Sequence, residues 1–329
     1  MNLPRRRFLH LAAGAAVFPT ASHIARAQSY PTRPITIIVG FAAGGGADVI
    51  ARTIAQRLRP ELGQSVIVEN VTGANSSIGI GRVARAAGDG YTLAMGSWSS
   101  FVANSATYSL SYDLIDDLAP VALVAIQPLI VTAKKAVPAD DLTGFVAWLK
   151  ANPDKASAGT PGVGSQQHIA ALEFQKQTGT RFTIVPYRGG APALHDLVAG
   201  QIDLTLATAA DSVEHVRGGS IKAFAIMAKS RSPAAPNIPT VDEAGLPGLY
   251  FSNWAAFFAP SATPKNVIAK LNAAIMIALA DPMVRTRLAD IGQEIPPREQ
   301  QTPEALRALQ KAEIEKWWPI IKEAGIRAE

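Results

Sequence analysis

Apolar and polar positions alternate along the chain in two periods. "ITIIVGF" (Ile35 to Phe41) is a short apolar run of the kind that forms a buried strand. It is followed by Ile50, Ile54 and Leu58 at four-residue spacing, which predicts a helix with one apolar face. "SVIVE" reads as the next strand, the stretch around Ile78 to Ala87 as a helix, and "YTLAMGS" as a strand. Further on, "LIVTA", "FTIVPY", "IDLTLAT" and "IKAFAIMA" are β-rich runs separated by helical stretches such as "SQQHIAALEFQKQTG". This alternation predicts an α/β fold, mostly parallel sheets with flanking helices. From Ser230 to Pro247 the prolines at 233, 236, 239 and 247 predict an extended connection, since each fixes φ. An aromatic strand, "YFSNWAAFFAP", and two final helices are expected after it, the last from Pro303 to about Ala324.

The N-terminus has a different character. Arg5, Arg6 and Arg7 precede the apolar run "FLHLAAGAAVF", and Ala25-Arg26-Ala27 supplies a small-residue cleavage pattern. These are the three regions of a secretory signal, predicted to occupy residues 1–27 and to be cleaved after Ala27. The Arg5-Arg6-x-Phe8-Leu9 order also reads as a twin-arginine signal. Removing this segment takes four arginines and no acids, so the formal net charge falls from +5 to +1. The basic balance therefore belongs to the leader and gives no reason to expect nucleic acid. The chain has no cysteine, which excludes a thiolate nucleophile, a disulfide and a cysteine-based zinc site.

Two glycine loops carry the candidate chemistry. Gly44, Gly45 and Gly46 separate the first strand from its helix, and Asp48 falls in that helix's first turn. "AGTPGVGSQQHIA" (Ala158 to Ala170) repeats the arrangement, turning through Gly159, Gly162 and Gly164 into a helix at Ser165. A helix start exposes unpaired backbone N–H groups, and glycine lets a ligand approach them because no Cβ intervenes. If the halves face each other, both loops can grip one carboxylate. Dinucleotide and P-loop fingerprints fail at Val49 and Gln167, and no Gly-x-Ser-x-Gly elbow is present. Ser165 and His168, three apart at a helix start, read as a cap and a helix-facing histidine. The alternative is a periplasmic serine hydrolase using the same pair.

The motifs resemble those of the Bug-type solute receptors of tripartite tricarboxylate transporters, over nearly all of the chain after the leader. The family's Phe-x-Pro-Gly-Gly-x-x-Asp is matched at Phe41, Gly44, Gly45 and Asp48, with Ala43 in place of the proline. Its Asp-Gly-Tyr-Thr-Leu is matched at Asp89 to Leu93, and its Gly-x-Gly-Ser-x-x-His at Gly162 to His168. "VPYRGGAPALHDLVAGQID" and "PNIPTVDEAGLPG" are similarly close, and Asn75 and Ser76 replace a usual glycine pair. The resemblance implies a two-domain clamshell that closes on a small organic carboxylate, held largely by backbone amides and ordered water, and delivers it to integral membrane permease subunits. It further implies a monomeric, periplasmic, non-catalytic protein with no cofactor, metal or nucleic-acid partner. Domain 1 is expected to be discontinuous, 28–125 plus 254–329, with domain 2 at 126–253. The candidate ligand-binding residues are Phe41, Ala42, Gly44, Gly45, Gly46 and Asp48 in the first loop. Ser97 and Trp98 follow the "YTLAMGS" strand. Thr160, Gly162, Gly164, Ser165 and His168 lie in the second loop, and Thr208 ends "IDLTLAT". Trp98 is expected to stack on an aromatic or apolar ligand body, with hinge-side packing as the alternative.

Overall fold

The computed structural model describes residues 30–187 and 189–327, so the predicted leader and its cleavage site lie outside the described residues. Strand β1 (Ile35–Val39) pairs in parallel with β2 (Val66–Asn70) on one side and β3 (Thr92–Ser97) on the other. Helices α1 (Gly46–Leu62) and α2 (Ser77–Ala84) make the crossovers. Ile50, Ile54 and Leu58 are buried, as their spacing predicts. Gly63 ends α1 at φ 66 and returns its N–H to the Arg59 carbonyl, a left-handed stop that suits glycine.

Strand β4 (Leu118–Lys134) organises the rest. From Leu118 to Pro128 it runs antiparallel to β9 (Ser252–Pro260), which also pairs antiparallel with β3. From Leu129 to Ala133 its partner is β7 (Leu204–Thr208), and from Ile130 to Lys134 it also pairs with β8 (Ile221–Ile226). One 17-residue strand thus serves both ends of the sheet. Its pairing with β9 shifts register between Pro120 and Ala122 and again between Leu123 and Ala125. Proline cannot donate to a ladder and is tolerated at such irregularities. Only "LIVTA", the second half of β4, stood out as a strand by composition.

Beyond β7 the order continues through β5 (Ser157–Thr160) to β6 (Thr183–Pro186), again in parallel. Helices α4 (Leu142–Ala151), α5 (Gln166–Thr178), α6 (Gly190–Val198) and α7 (Ala209–Arg217) flank these strands. Parallel pairing therefore occupies the two outer parts of the sheet, and antiparallel pairing the middle, where β4 and β9 lie. Residues 230–247 form turns and extended chain, apart from an isolated bridge between Ile226 and Thr240.

Three helices, rather than the two expected, follow β9: α8 (Lys265–Ala280), α9 (Pro282–Asp290) and α10 (Pro303–Glu323). The break after α8 has a local cause. Asp281 accepts from the Met283 N–H at 2.9 Å, and Pro282 takes the first helical position of α9.

Between β3 and β4 the chain forms a π-helical turn (Ser99–Ala103) and the short helix α3 (Asn104–Thr107). Trp98, immediately before that turn, overturns the expectation that it meets the ligand. It is fully buried, with its ring 5.4 Å from Phe251 and 6.3 Å from Trp317. Its Nε1 donates to Glu313 of α10 at 2.7 Å, and the Trp317 Nε1 donates to the same oxygen at 2.8 Å. Burial raises the Glu313 carboxyl above the usual range, against the pull of the two indole donors. Trp98 is a packing residue that donates to a half-buried acid. Trp98→Ala should therefore cost about 3–5 kcal/mol in urea unfolding, the range for truncating a buried aromatic. The folded fraction should keep wild-type ligand affinity in calorimetry, and a folded Trp98→Ala protein with tenfold weaker binding would return Trp98 to the site.

Candidate functional site

The first loop leaves β1 at Gly40 and enters α1 at Gly46. Ala42 to Gly46 are exposed, and Phe41 is half-buried against the core beneath α1. Gly44 sits at φ 82 with open space where a Cβ would be. Asp48 is not on the loop surface, contrary to expectation. It is 3 % exposed, and its carboxylate accepts from the Gly44 N–H at 2.9 Å, Arg52 Nε at 3.0 Å and Asn70 Nδ2 at 2.9 Å. Asn70 also donates to the Phe41 carbonyl at 3.0 Å. The Arg52 hydrogen bond is the main cause holding the Asp48 carboxyl at about 2, so it stays ionised and ties the loop from beneath. Its acceptor capacity is spent on the protein.

In the second loop, Pro161 to Ser165, Gly162 has φ 144 and Gly164 φ 74. Ser165 caps α5, its Oγ accepting from the His168 N–H at 3.2 Å. The Gly164 N–H donates to His168 Nδ1 at 3.0 Å. Nδ1 must be unprotonated to accept, which places the imidazole proton on Nε2. Burial also lowers the His168 pKa from 6.5. Ser165 Oγ and the imidazole share no hydrogen bond among the described residues, so Ser165 has no general base and the hydrolase alternative loses its geometry.

Three of the loop glycines, Gly44, Gly45 and Gly164, are not open amide donors. Gly44 and Gly164 spend their N–H groups on Asp48 and His168, and Gly45 and Ser165 donate to the carbonyls of Ala42 and Gly162. The first intrahelical bond of α1 is Val49 to Gly45. Gly46, Ala47 and Asp48 therefore keep N–H groups with no acceptor among the described residues. In α5 the same holds for Gln166 and Gln167, because His168 and Ile169 donate to Ser165. The glycines and Asp48 shape the two cradles, and the next residues supply the donors.

The remaining candidates divide. Thr160 is buried at the end of β5, with an Oγ1 that has no partner among the described residues. Thr208 is a buried cap of α7, its Oγ1 donating to Asp211 Oδ2 at 2.6 Å. Ser97 is half-buried, and its Oγ lies 3.0 Å from that of Ser99.

A cavity of about 470 Å³ opens against the second loop, lined by Pro161 to Ser165 on one side and by Asn75, Thr107 and Tyr108 on the other. Ile326 and Arg327 at the end of the chain close it. A Cβ on Gly164 would stand 3.3 Å from Ile326 Cγ2 and 3.8 Å from Thr107 Cγ2. The first loop does not line this cavity but is joined to it through a third loop, Val71 to Ser76. Gly40 lies so close to this loop that an added Cβ would be 2.3 Å from Ser76 Cβ. Sequence reasoning noted Asn75 and Ser76 as departures from a glycine pair, and it had no signal for Tyr108, Ile326 or Arg327, which reach the cavity from distant elements.

Comparison with known proteins gives the chain's family. Residues 50–326 match the family model described as "Tripartite tricarboxylate transporter family receptor". BugT of Bordetella pertussis is 35% identical over 303 residues, covering 92% of each chain. The solved structure of the periplasmic binding protein BugD shares 33% identity at a TM-score of 0.73, covering 91% of this chain and all of that one. MatC from Rhodopseudomonas palustris, solved with bound malate, shares 38% identity at a TM-score of 0.73, covering 89% of this chain and all of that one. With this likeness over nearly its whole described length, the chain belongs to the tripartite tricarboxylate transporter receptor family, a family of solute-binding receptors rather than enzymes.

Proposed function

We propose that the protein is a periplasmic receptor that captures a small organic carboxylate between two α/β domains and delivers it to the integral membrane subunits of its transporter. The observation that carries this reading is the pair of helix starts, residues 46–48 and 166–167, whose amides lack acceptors behind two glycine loops. Such groups favour an anion, and a carboxylate has the two oxygens to use one from each side. MatC binds malate, an acid of this class. The divided pairing of β4 supports domains at 28–125 plus 254–329 and at 126–253. The leader at 1–27 supports export, and the receptor acts as a monomer.

A screen of organic acids by thermal shift and calorimetry tests the reading. A bound acid at a hundredfold excess over Kd stabilises the native state by about 2.7 kcal/mol. If no acid among mono-, di- and tricarboxylates shifts the melt, the carboxylate reading fails.

The loop geometry makes two further predictions. Gly44→Val and Gly164→Val place a β-branched residue at φ 82 and φ 74, and at 164 also against Ile326. Each should weaken acid binding about tenfold or more, near 1.4 kcal/mol, in protein shown to be folded by circular dichroism. Wild-type affinity in both would remove the loops from the site.

His168 predicts a pH dependence. Its folded pKa lies below the unfolded 6.5, so the folded state resists protonation. Its contribution to stability is complete above pH 6.5 and is lost as the pH falls through the lowered value. Protonation at Nδ1 also ends its acceptance from Gly164. The melting temperature of the wild type should fall more steeply on acidification below pH 6.5 than that of His168→Gln, and parallel curves would refute this assignment.

A further inference from the structure

The third loop holds an unusual backbone. Ala74, Asn75 and Ser76 have φ values of 44, 48 and 78, three consecutive non-glycine residues in the left-handed region. Asparagine tolerates that region better than most residues, but a run of three persists only where surrounding contacts enforce it. The enforcing residue is Asn104, fully buried at the start of α3. Its Nδ2 donates to the Asn75 carbonyl at 2.8 Å and to Ser77 Oγ at 3.0 Å, and its Oδ1 accepts from Asn75 Nδ2 at 3.0 Å.

This network fixes which way each amide faces. A backbone carbonyl can only accept, so the atom of Asn104 that meets the Asn75 carbonyl must be the nitrogen. The other atom, Oδ1, can only accept, so the atom of Asn75 that meets it must also be the nitrogen. Asn75 Oδ1 is left with no donor among the described residues. Asn75 is exposed and lines the 470 Å³ cavity opposite the second glycine loop. A strained loop, locked by a buried residue, thus presents a neutral hydrogen-bond acceptor at the cavity.

An amide oxygen repels carboxylate oxygens and accepts from a donor. Among the described residues, the charged side chain lining the cavity is that of Arg327 and no aspartate or glutamate lines it, so a ligand ammonium meets no counter-charge from them. A hydroxyl has no such need. We infer that Asn75 is a specificity-determining residue whose side-chain carbonyl accepts a hydrogen bond from a hydroxyl group of the ligand, so that the receptor selects hydroxy-carboxylates over the unsubstituted acids. The inference rests on the carboxylate reading above and adds to it the ligand's second functional group.

Calorimetry on the mature protein with acids that differ by one hydroxyl tests it, using L-malate against succinate and L-lactate against propionate, with L-aspartate as the ammonium analogue. The hydroxy acid of at least one pair should bind about tenfold more tightly than its partner, the scale of one well-placed neutral hydrogen bond. In Asn75→Gly that ratio should fall to within about threefold, whatever loss the two acids share. Glycine adopts φ 48 without strain and keeps the bond from Asn104 Nδ2 to the carbonyl of residue 75, while Asn104 Oδ1 loses its donor, so the ratio and not the absolute affinity is the readout. A purely structural role would weaken both members of a pair equally and would overturn the inference. So would a ratio that survives in Asn75→Gly, a wild type indifferent to the hydroxyl, or aspartate bound as tightly as malate. The wild-type comparison decides without any variant. If acids bind without hydroxyl preference, the inference alone falls; if none of the screened acids binds, the carboxylate reading falls and takes the inference with it.

Discussion

A single strand pairs at both ends of this sheet, and the geometry of the candidate site follows from that constraint. β4 gives its first eleven residues to β9 and its last six to β7 and β8. Every backbone group in a buried strand needs a partner, so one continuous strand joins the two glycine-loop elements. β9 runs beside β4 up to Ser252, where Phe251 then bonds Leu129 and Met227. These two adjacent strands are where the two ends of the fold join. Beside them sits the Trp98, Phe251 and Trp317 cluster, whose two indole N–H groups donate to Glu313. It puts stiff packing beside the junction.

The loops divide their labour in a way that elementary hydrogen-bond accounting exposes. Glycine provides the positive φ, an acid or imidazole takes the first N–H, and the amides that open each helix, residues 46–48 and 166–167, have no acceptor among the described residues. Asp48 and His168 perform the same task in the two loops with opposite chemistry. One is an ionised acceptor held at about 2, and the other a neutral nitrogen whose pKa burial lowers. Both therefore accept at neutral pH, and each keeps its loop rigid without presenting a side-chain charge to the ligand. Preorganised amides need little reorganisation when an anion arrives.

Much of this was legible in the sequence, and the failures are instructive. Strand, glycines and helix stripe are local patterns, so β1 with α1 and β5 with α5 could be read directly. The first half of β4 could not, because "LAPVALVAIQ" is nearly all apolar and carries a proline, which blurs both periods. Trp98 was misplaced because an aromatic at a strand end has the same letter whether it faces a cleft or a core. What decided it was Glu313, more than two hundred residues away. Asp48 was legible as a first-turn acid of α1, but its partners Arg52 and Asn70 lie on two elements and were not. The roles of Asn104, Ile326 and Arg327 depend on tertiary neighbours alone.

The central claim is that the two ends of the sheet carry complementary halves of one anion site and close on the ligand about the β4 and β9 junction. Small-angle X-ray scattering of the mature protein, free and saturated with an acid shown by calorimetry to bind, tests it most directly. The account predicts a smaller radius of gyration in the bound state, with the change in folded Gly164→Val reached only at about tenfold higher acid concentration. An identical radius with and without bound acid would contradict closure and leave a rigid pocket in its place.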